Sequence, residues 1–450
     1  MIVAKFGGTS VGNGPAIGRL VEIVRGRRAD RPVVVVSALA GVTDGLLELG
    51  RPVLAGDAGA LDAALARLLA RHRDIAQDLG GAGAALAEIV SDAAALRDEL
   101  HAALGRRLRP QELDALAGRG ELWASRLVAE ALEGAGLPAT WVDVRTIMIT
   151  DERFTRAASD VRVVTERARS CLEPLAMSGR IPVTQGFIGA TAGGIPTTLG
   201  RGGSDFTAAL LGAALEVERV EIWTDVDGLM TADPRIVPSA RTLAEASYEE
   251  AAELATFGAK VLHPATAQPL VRVGIPIVVL NSTEPERPGT TIEPSAILER
   301  MGDSPVRSIS WKRGITVINI RAPRMLGAFG FLRALFEVFE RHEVVVDVLA
   351  SSEVSVSLTV EERSHLGAVV RDLAALGEVS VDNGRAVIAV VGVGLRHTAG
   401  LAARLFRAVQ PANVEVISQG ASAINMTFVV REEDGPGVVQ RLHQEFFGTC

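Results

Sequence analysis

The sequence predicts an α/β protein in which a large layered domain with a mainly parallel sheet precedes two copies of one small module. Strand-like and helix-like stretches alternate from residue 1 to about residue 285. Four consecutive valines at 33–36 indicate a strand buried on both faces, as in a parallel sheet. A series of elements that begins near residue 313 is repeated from about residue 385. Alternating strands and helices are typical of layered α/β domains.

The first domain is predicted to span residues 1–285. Its first helix follows KFGG and carries Ile17, Leu20 and Val24 at helical spacing. Further helices are expected within the Ala/Leu-rich region 56–136 and at 248–258. The predicted strands are AKFGG (4–8), RPVVVV (31–36), ATWVDV (139–144), IPVTQGFIG (181–189), RVEIWTDV (219–226) and GIPIVVLN (274–281).

A polar stretch with several prolines, 286–312, is interpreted as a linker. Beyond it, strand, helix, two strands, helix and a short strand are predicted over 313–384, and the same order starts again over 385–450. This repetition indicates two copies of one βαββα(β) module of about 70 residues each.

The composition excludes several classes of protein. With 48% apolar residues among 450, the chain can build a sizeable core, and its formal net charge of −8 argues against nucleic acid or an anionic membrane as the main partner. No apolar run approaches the length of a membrane span. The two cysteines, Cys171 and Cys450, exclude a disulfide framework and fit a reducing cytoplasm. Cys171 is expected to be buried on a helical face with Val164, Ala168 and Leu175.

Two glycine-rich turns each join a predicted strand to a predicted helix: KFGGTS at 5–10 and LGRGGSDFTAA at 199–209. Backbone N–H groups at such junctions can bind an anion, and Lys5 adds a positive charge. Either turn can also be purely structural, with Ser204 or Asp205 capping the second helix. Open parallel sheets bind ligands at the carboxyl ends of their strands, which favours the functional reading for the pair.

A third polar segment, WTDVDGLMTADPR at 223–235, follows a predicted strand, and FGAKVLHP at 257–264 adds Lys260 at a helix end. The first could contact a nucleotide, with Arg235 on the phosphates, or be a solvated loop with Asx turns. Lys260 could equally be a C-terminal helix charge. The seven histidines lack metal-site spacing, and no GxSxG sequence supports a serine hydrolase.

Together these segments resemble the aspartate kinase (aspartokinase) family, specifically its monofunctional, lysine-sensitive type with paired C-terminal ACT domains. The resemblance covers nearly the whole chain and implies an amino-acid-kinase-like αβα sandwich with a central, mainly parallel sheet, followed by two βαββαβ ferredoxin-like ACT domains. The matching runs are KFGGTSV (5–11), VSALAGVTD (36–44), GRGELWAS (118–125), TTLGRGGSDFTAALL (197–211), WTDVDGLMTADPR (223–235), ATFGAKVLHPAT (255–266), GFLRALFEVFERH (330–342) and VDVLASSEVSVSL (346–358).

The resemblance implies ATP-dependent phosphorylation of the side-chain carboxylate of L-aspartate to 4-phospho-L-aspartate, the first step towards lysine, threonine and methionine. It implies ATP and Mg²⁺ as cofactors, with Mg²⁺ held by the ATP phosphates rather than by a protein metal site. The implied catalytic residues are Lys5, Gly7, Gly8 and Asp205, with Asp205 orienting the lysine and glycine loops. The implied substrate contacts are Ser37, Thr43, Glu121, Arg201 and Ser204, and the implied ATP contacts are Lys5, Thr224, Asp225, Met230, Arg235 and Lys260.

The resemblance also implies an amino-acid effector, with lysine first, at the dimer interface of the first ACT domain, and a homodimer or a tetramer assembled through these domains. The implied effector positions are Met325, Ala328, Phe331, Leu332, Val345, Val346, Asp347, Ser352 and Glu353. They could instead be ordinary interface core. Ala328 and Val345 stand where the lysine-sensitive pattern has serines, and Met230 stands where it has tyrosine. We therefore expect weaker inhibition by lysine or a different effector, and an altered affinity for ATP.

Two alternatives remain open from the sequence. One is another member of the amino acid kinase fold, acting on glutamate, N-acetylglutamate or UMP, which the GRGGSD and GVTD runs disfavour. The other is a catalytically inactive amino-acid sensor, which would have no reason to keep Lys5, Glu121, Arg201 and Asp205 together.

Overall fold

The computed structural model describes residues 1–81, 83–257, 264–294, 305–361 and 366–448, without the side chains of 264 and 265. Its described residues divide into two compact units. Unit 1 is drawn from Met1–Leu229, Ala244–Tyr248 and Val261–Pro294, and unit 2 from Met230–Leu243, Glu249–Lys260 and Ser295–Cys450. Within the described ranges, no helix is long and apolar enough to cross a membrane.

Unit 1 contains a mixed sheet of eight strands and a smaller sheet of three. Its strands are β1 (Ile2–Phe6), β2 (Pro32–Val36), β3 (Ala139–Trp141), β4 (Ile149–Thr150), β5 (Ile181–Gln185), β6 (Ile188–Thr191), β7 (Pro196–Thr198), β8 (Arg219–Thr224), β9 (Glu245–Ser247), β10 (Ile277–Asn281) and β11 (Thr290–Glu293). The large sheet has the order β3-β5-β2-β1-β8-β10-β11-β9, and the small one β4-β6-β7. In the large sheet only the β10–β11 pair is antiparallel.

Helices alternate with these strands along the chain. They are α1 (Gly14–Gly26), α2 (Val42–Glu48), α3 (Gly50–Ala55), α4 (Ala58–Asp78), α5 (Ala84–Ala102), α6 (Pro110–Ala117), α7 (Arg119–Gly134), α8 (Val161–Cys171), α9 (Glu173–Met177), α10 (Gly203–Ala214), α11 (Tyr248–Thr256) and α12 (Pro264–Val273), of which α11 belongs, after its first residue, to unit 2. The predicted α/β architecture is confirmed. β1 and β2 are buried along their whole lengths, as the run of valines predicts.

Cys171 is exposed, so its predicted burial was wrong. The buried side of α8 carries Val164 and Ala168, and Leu172 continues this side just past the helix end. Each of these three residues is four positions from the next. Cys171 is offset from this series by one position and therefore lies outside the apolar stripe.

The predicted strand 181–189 is broken at Gly186 and Phe187, where β5 ends and β6 begins. Phe187 has a positive φ of 70°. A Cβ on Gly186 would lie 2.6 Å from the Cα of Ser204, so only glycine fits between β5 and the start of α10. This close approach places the end of β5 against the second glycine-rich turn.

Unit 2 contains one antiparallel sheet of six strands in the order β13-β14-β12-β15-β17-β16. The strands are β12 (Ser308–Arg321), β13 (Leu349–Ser351), β14 (Ser355–Glu361), β15 (Glu378–Val391), β16 (Val416–Gln419) and β17 (Asn425–Arg431). In addition to α11, the helices of unit 2 are α13 (Phe331–Arg341), α14 (Leu366–Leu373), α15 (Leu401–Val409) and α16 (Gly435–Phe447).

The two copies of the predicted module share their long central strands. The stretch of β12 from Ile315 to Arg321 pairs with the first part of β15, and the stretch from Ser308 to Lys312 pairs with its last part. Gly314 (φ 70°) and Gly384 (φ 65°) lie at this junction, where the register shifts. The Asn383–Gly384 pair therefore lies within a continuous strand and does not separate two strands.

Each copy has its own apolar core. Leu335, Val338 and Phe339 of α13 pack with residues of β12 and β14 in the first copy. Leu405 of α15 and Leu442 of α16 pack with Phe428 of β17 in the second.

The predicted domain boundaries at 313, 384 and 385 stay a prediction, but part of the segment interpreted as a linker is not irregular. Residues 290–293 form β11 and residues 308–312 begin β12, because their alternating β-branched and polar residues pair with neighbouring strands.

Candidate functional site

A cavity of about 590 Å³ opens in unit 1 near the carboxyl ends of the central parallel strands. This is the edge at which open α/β sheets usually bind ligands. Seven of the residues singled out in the sequence line it, although they are far apart in the chain. They are Lys5, Ser37, Thr43, Glu121, Arg201, Ser204 and Asp205.

Lys5 reaches the cavity from the fully buried strand β1. Its Nζ lies 2.6 Å from Oδ1 of Asp205, and Lys5 is only 9% exposed. Asp205 stands in the first turn of α10, where the helix dipole favours negative charge. The carboxylate therefore holds the lysine ammonium in one position, directly beside a helix N-terminus that can attract an anion.

The two glycines after Lys5 serve different purposes. A Cβ on Gly8 would lie 2.8 Å from the carbonyl oxygen of Ala38, so glycine is required for the loop to approach the residues after β2. The Gly7 N–H donates to the carbonyl of Trp223 at 3.0 Å, extending the β1–β8 ladder. The expected phosphate contact from the Gly7 amide is therefore not supported, since that N–H already has a partner. Among the described residues, the Gly8 N–H has none.

Glu121 is a buried carboxyl in the cavity wall. It lies in the first turn of α7, is 3% exposed, and accepts a hydrogen bond from the backbone N–H of Ala38. Its Oε2 has no hydrogen-bond partner among the described residues. Burial raises the pKa of this carboxyl to about 8. A ligand cation such as an ammonium group would supply the missing partner and favour the ionised form.

The pKa of Glu121 predicts how stability depends on pH. Between pH 4.5, the ordinary pKa of a glutamate side chain, and about pH 8, Glu121 is protonated in the folded protein but ionised in the unfolded chain. The free energy of unfolding should therefore fall as pH rises through this window and level off above it. Glu121→Gln should remove this fall and be more stable than the wild type at pH 8. Chemical denaturation between pH 5 and 8.5 measures this. Glu166→Gln, at an exposed position of α8, is the control, and parallel curves for Glu121→Gln and wild type would contradict the assignment.

Arg201 lies on the other side of the cavity in the second glycine-rich turn. It stands between Gly200 (φ 78°) and Gly202 (φ 74°), in a turn whose left-handed backbone favours glycine. The guanidinium makes no hydrogen bond or ion pair within the described residues and lines the cavity. A free guanidinium in this place is suited to hold a carboxylate through two parallel hydrogen bonds. Thr43, at the start of α2, Ser37, after β2, and Ser204, in the first turn of α10, add hydroxyl groups.

The described residues expected on the ATP side belong to both units. Thr224 ends β8 beside β1, and the exposed Asp225 follows it. Met230 and Arg235 belong to unit 2, where Met230 is half-buried and Arg235 pairs with Asp233 at 2.7 Å. The Arg235 guanidinium lowers the pKa of Asp233. Lys260 lies outside the described residues.

Several residues of the cavity wall were not predicted, and Asp114 is the most informative of them. Its side chain is 2% exposed on α6, beside the apolar Leu116 and Ala117. Burial raises its pKa, while hydrogen bonds from Thr155 and Thr198 act in the opposite direction. An acidic residue on the buried face of a predicted helix is the signal that could have identified it.

The residues expected to bind an effector occupy the first copy of the module in unit 2. They lie around the start of α13, before β13 and between β13 and β14. The Ala322 N–H donates to the carbonyl of Val354 at 2.8 Å, which brings the segment before α13 close to the β13–β14 turn. Lys312 Nζ lies 3.1 Å from Asp347. Several apolar side chains here are exposed: Leu326 (62%), Phe329 (104%), Leu332 (40%) and Val345 (67%).

Comparison with known proteins shows which sequences and structures this chain resembles. The sequence model of the amino acid kinase family matches residues 1–281, and that of an ACT domain matches residues 388–446. The chain is 38% identical to the lysine-sensitive aspartokinase 3 of Escherichia coli strain K12, over 99% of both chains.

Two solved structures of E. coli aspartokinase III are also similar. The complex with aspartate and ADP, in the R state, has a TM-score of 0.86 at 37% identity and is covered over 100% of its chain and 99% of this one. The complex with lysine and aspartate, in the T state, has a TM-score of 0.82 at 37% identity, with 99% of each chain covered.

Proposed function

The chain belongs to the aspartokinases of the amino acid kinase family, which phosphorylate the side-chain carboxylate of L-aspartate with ATP, and we propose that it performs this reaction in the cavity around Lys5. The product is 4-phospho-L-aspartate, in the first step towards lysine, threonine and methionine. One observation carries the assignment of the site. The cavity holds an ion-paired lysine, a buried carboxylate oxygen without a partner and a guanidinium without a partner, all within the described residues.

These three groups match the charges of the substrate. In the proposed arrangement, Glu121 receives the α-ammonium group of aspartate and Arg201 receives its α-carboxylate, with hydroxyl contacts from Ser37, Thr43 and Ser204. The side-chain carboxylate of aspartate then lies towards Lys5. The E. coli complex with aspartate and ADP supports this choice of ligands.

The chemistry requires positioning and charge neutralisation more than proton transfer. A carboxylate with a pKa near 4 is ionised at neutral pH, so the nucleophile needs no general base. The barrier is the approach of two anions and the charge that spreads over the transferring phosphoryl group. Lys5 neutralises that charge, and the N-terminus of α10 contributes its dipole. Asp205 orients Lys5 through the 2.6 Å ion pair.

ATP and Mg²⁺ are proposed as cofactors. The described residues include no group of three or more carboxylate, histidine or cysteine side chains able to hold a metal ion. We propose phosphate oxygens as the main ligands of Mg²⁺, because this ion usually binds through substrate phosphates with few protein contacts. When bound, Mg²⁺ would neutralise phosphate charge. Thr224 and Asp225, and with them Met230, Arg235 and Lys260, are proposed for the nucleotide.

Acyl phosphate formation tests this proposal. The purified chain is incubated with ATP, Mg²⁺ and hydroxylamine, with L-aspartate, L-glutamate or no acceptor. Hydroxamate should form with aspartate only. Product with glutamate instead would favour the alternative acceptor, and binding of aspartate without product would favour an inactive sensor.

Regulation and assembly form the second part of the proposal. We propose a cytoplasmic homodimer, or a tetramer, that assembles through its ACT domains and is inhibited by an amino acid, with lysine first. The exposed apolar side chains around Phe329 and Val345 support burial against a second copy. The E. coli complex with lysine and aspartate supports lysine as the effector.

Ala328 and Val345 predict that lysine inhibits weakly, because two hydroxyl donors are missing. The double variant Ala328→Ser/Val345→Ser should lower the lysine concentration for half-inhibition about 2- to 10-fold per hydroxyl, from about 0.5–1.5 kcal/mol for each hydrogen bond. Activity without lysine should not change. Titration of lysine, of threonine and of both, with wild type and variant, measures this. Unchanged inhibition by lysine would contradict the placement of the effector.

A further inference from the structure

Asp114 lines the cavity but has no part in the proposed transfer. Its carboxylate is fully engaged with two distant segments of the chain. Oδ1 accepts hydrogen bonds from the Thr155 N–H at 3.0 Å and the Thr198 hydroxyl at 2.8 Å. Oδ2 accepts from the Thr155 N–H at 2.8 Å and the Thr198 N–H at 3.0 Å. Such a carboxylate holds other parts of the protein and is not available to a ligand.

Thr155 has a backbone conformation that its side chain disfavours. Its φ is 71°, in the left-handed region, which strains a β-branched residue. Such a conformation persists only when the surroundings hold it. The Thr155 N–H points at both oxygens of Asp114, so this carboxylate is the group that holds it.

The strained residue supports the turn that carries Arg201. A Cβ on Gly200 would lie 3.3 Å from the carbonyl oxygen of Thr155, which shows how closely the turn rests on that residue. Thr198, the other partner of Asp114, is the last residue of β7, three positions before Arg201. Its carbonyl accepts the Ala157 N–H at 2.9 Å. Asp114 therefore links Thr155, on which the turn rests, to Thr198, which leads into the turn.

We propose that Asp114 is a positioning residue, which holds Thr155 and Thr198 so that the turn 200–202 directs the guanidinium of Arg201 at the α-carboxylate of the substrate. This inference rests on the proposed function. Arg201 has no protein partner within the described residues, so only the backbone of its turn places it. Loss of Asp114 lets Thr155 relax to a negative φ and moves that turn.

The expected result is a selective loss of affinity for aspartate. Asp114→Ala should raise the KM for aspartate about 10- to 100-fold, as expected for a misplaced substrate contact. The KM for ATP and kcat should stay within about 3-fold, because Lys5 and Asp205 are held by β1 and α10. Steady-state kinetics with each substrate varied in turn measures the split.

A conservative variant separates position from charge. In Asp114→Asn, the amide oxygen can accept both backbone N–H groups, and the amide NH₂ can donate to the Thr198 hydroxyl. This variant should keep the KM for aspartate within about 3-fold of wild type. A KM as high as that of Asp114→Ala would mean that the charge matters and the position does not, and would overturn the proposal.

Two further variants keep the test decisive. Asp160→Ala removes a carboxylate that accepts the N–H groups of Arg162 and Val163 at the start of α8, and should leave both KM values unchanged. If Asp114→Ala does not fold, Thr198→Val removes one donor to Asp114 and keeps its N–H. It should raise the KM for aspartate about 3- to 10-fold with the KM for ATP unchanged.

The outcomes distinguish the two proposals. Wild type without aspartate-dependent product overturns the proposed function and this inference with it. An active wild type combined with an unchanged KM for aspartate in the foldable Asp114 and Thr198 variants overturns this inference alone. Equal rises of both KM values, accompanied by a lower Tm, would assign Asp114 a purely structural role and also overturn it.

Discussion

Lys5→Ala should lower kcat about 10³-fold or more while the fold is retained. The lysine Nζ is the cationic group held at the proposed site of transfer, 2.6 Å from Asp205. A group that stabilises transition-state charge in a water-poor site contributes about 10²- to 10³-fold, and Lys5 also places the two anions together. The initial rate of hydroxamate formation at saturating ATP and aspartate measures the loss.

The control is the same substitution at another ion-paired lysine. Lys312 contacts Asp347 at 3.1 Å in unit 2, and Lys312→Ala should leave the activity without effector unchanged. Because Lys5→Ala leaves Asp205 without its cation, the Tm of both variants is measured. Turnover by a folded Lys5→Ala variant within tenfold of wild type would show that the KFGG segment is only a turn.

Arg201→Ala should raise the KM for aspartate about 10- to 150-fold with a small effect on the KM for ATP. Hydrogen bonds between charged groups contribute about 1.5–3 kcal/mol, which corresponds to this range. Arg201→Lys should recover only part of the affinity, because an ammonium group cannot form the two parallel hydrogen bonds of a guanidinium. The Tm should not change, since the exposed guanidinium has no protein partner in the described chain.

Arg73→Ala is the matched control, because Arg73 is also an exposed arginine of unit 1 but does not line the cavity. Its KM for aspartate should equal that of wild type. If Arg201→Ala binds aspartate as tightly as wild type, another cation receives the α-carboxylate and the proposed orientation of the substrate is wrong.

Local patterns predict several of the elements that position the site, but not β7, which lies between the predicted strand 181–189 and the second glycine-rich turn. The valines at 33–36 predict β2, and the second glycine-rich turn predicts the start of α10. Lys5 could be named from the charge that it adds to its glycine turn, whereas Arg201 is implied only by the resemblance to the aspartate kinase family. Their presence in one cavity depends on tertiary contacts, because Lys5 lies on β1 of the large sheet whereas Arg201 follows β7 of the small sheet.

Other features depend on contacts between distant residues and could not be read from short segments. Asp114 obtains its partners from positions 41 and 84 residues away, so its sequence neighbours identify only a helix. The Gly7 amide is used by Trp223, because the hydrogen-bond ladder between β1 and β8 continues one residue past the end of β1. In unit 2, Asn383–Gly384 has the sequence of a turn, but pairing with β12 keeps β15 continuous.

The exposure of Cys171 has a similar cause. The spacing of apolar residues predicts the buried face of a helix only to within about one residue. Packing against neighbouring elements then determines which of the adjacent residues is buried. Val164, Ala168 and Leu172 are buried, whereas Cys171 is exposed.

A crystal structure with L-aspartate and a non-hydrolysable ATP analogue tests the central claim most directly. We expect aspartate in the cavity, with its ammonium group at Glu121 Oε2, its α-carboxylate on the Arg201 guanidinium and its side-chain carboxylate facing the terminal phosphate beside Lys5. Aspartate bound elsewhere, or bound with its side-chain carboxylate on Arg201 and away from Lys5, would contradict it.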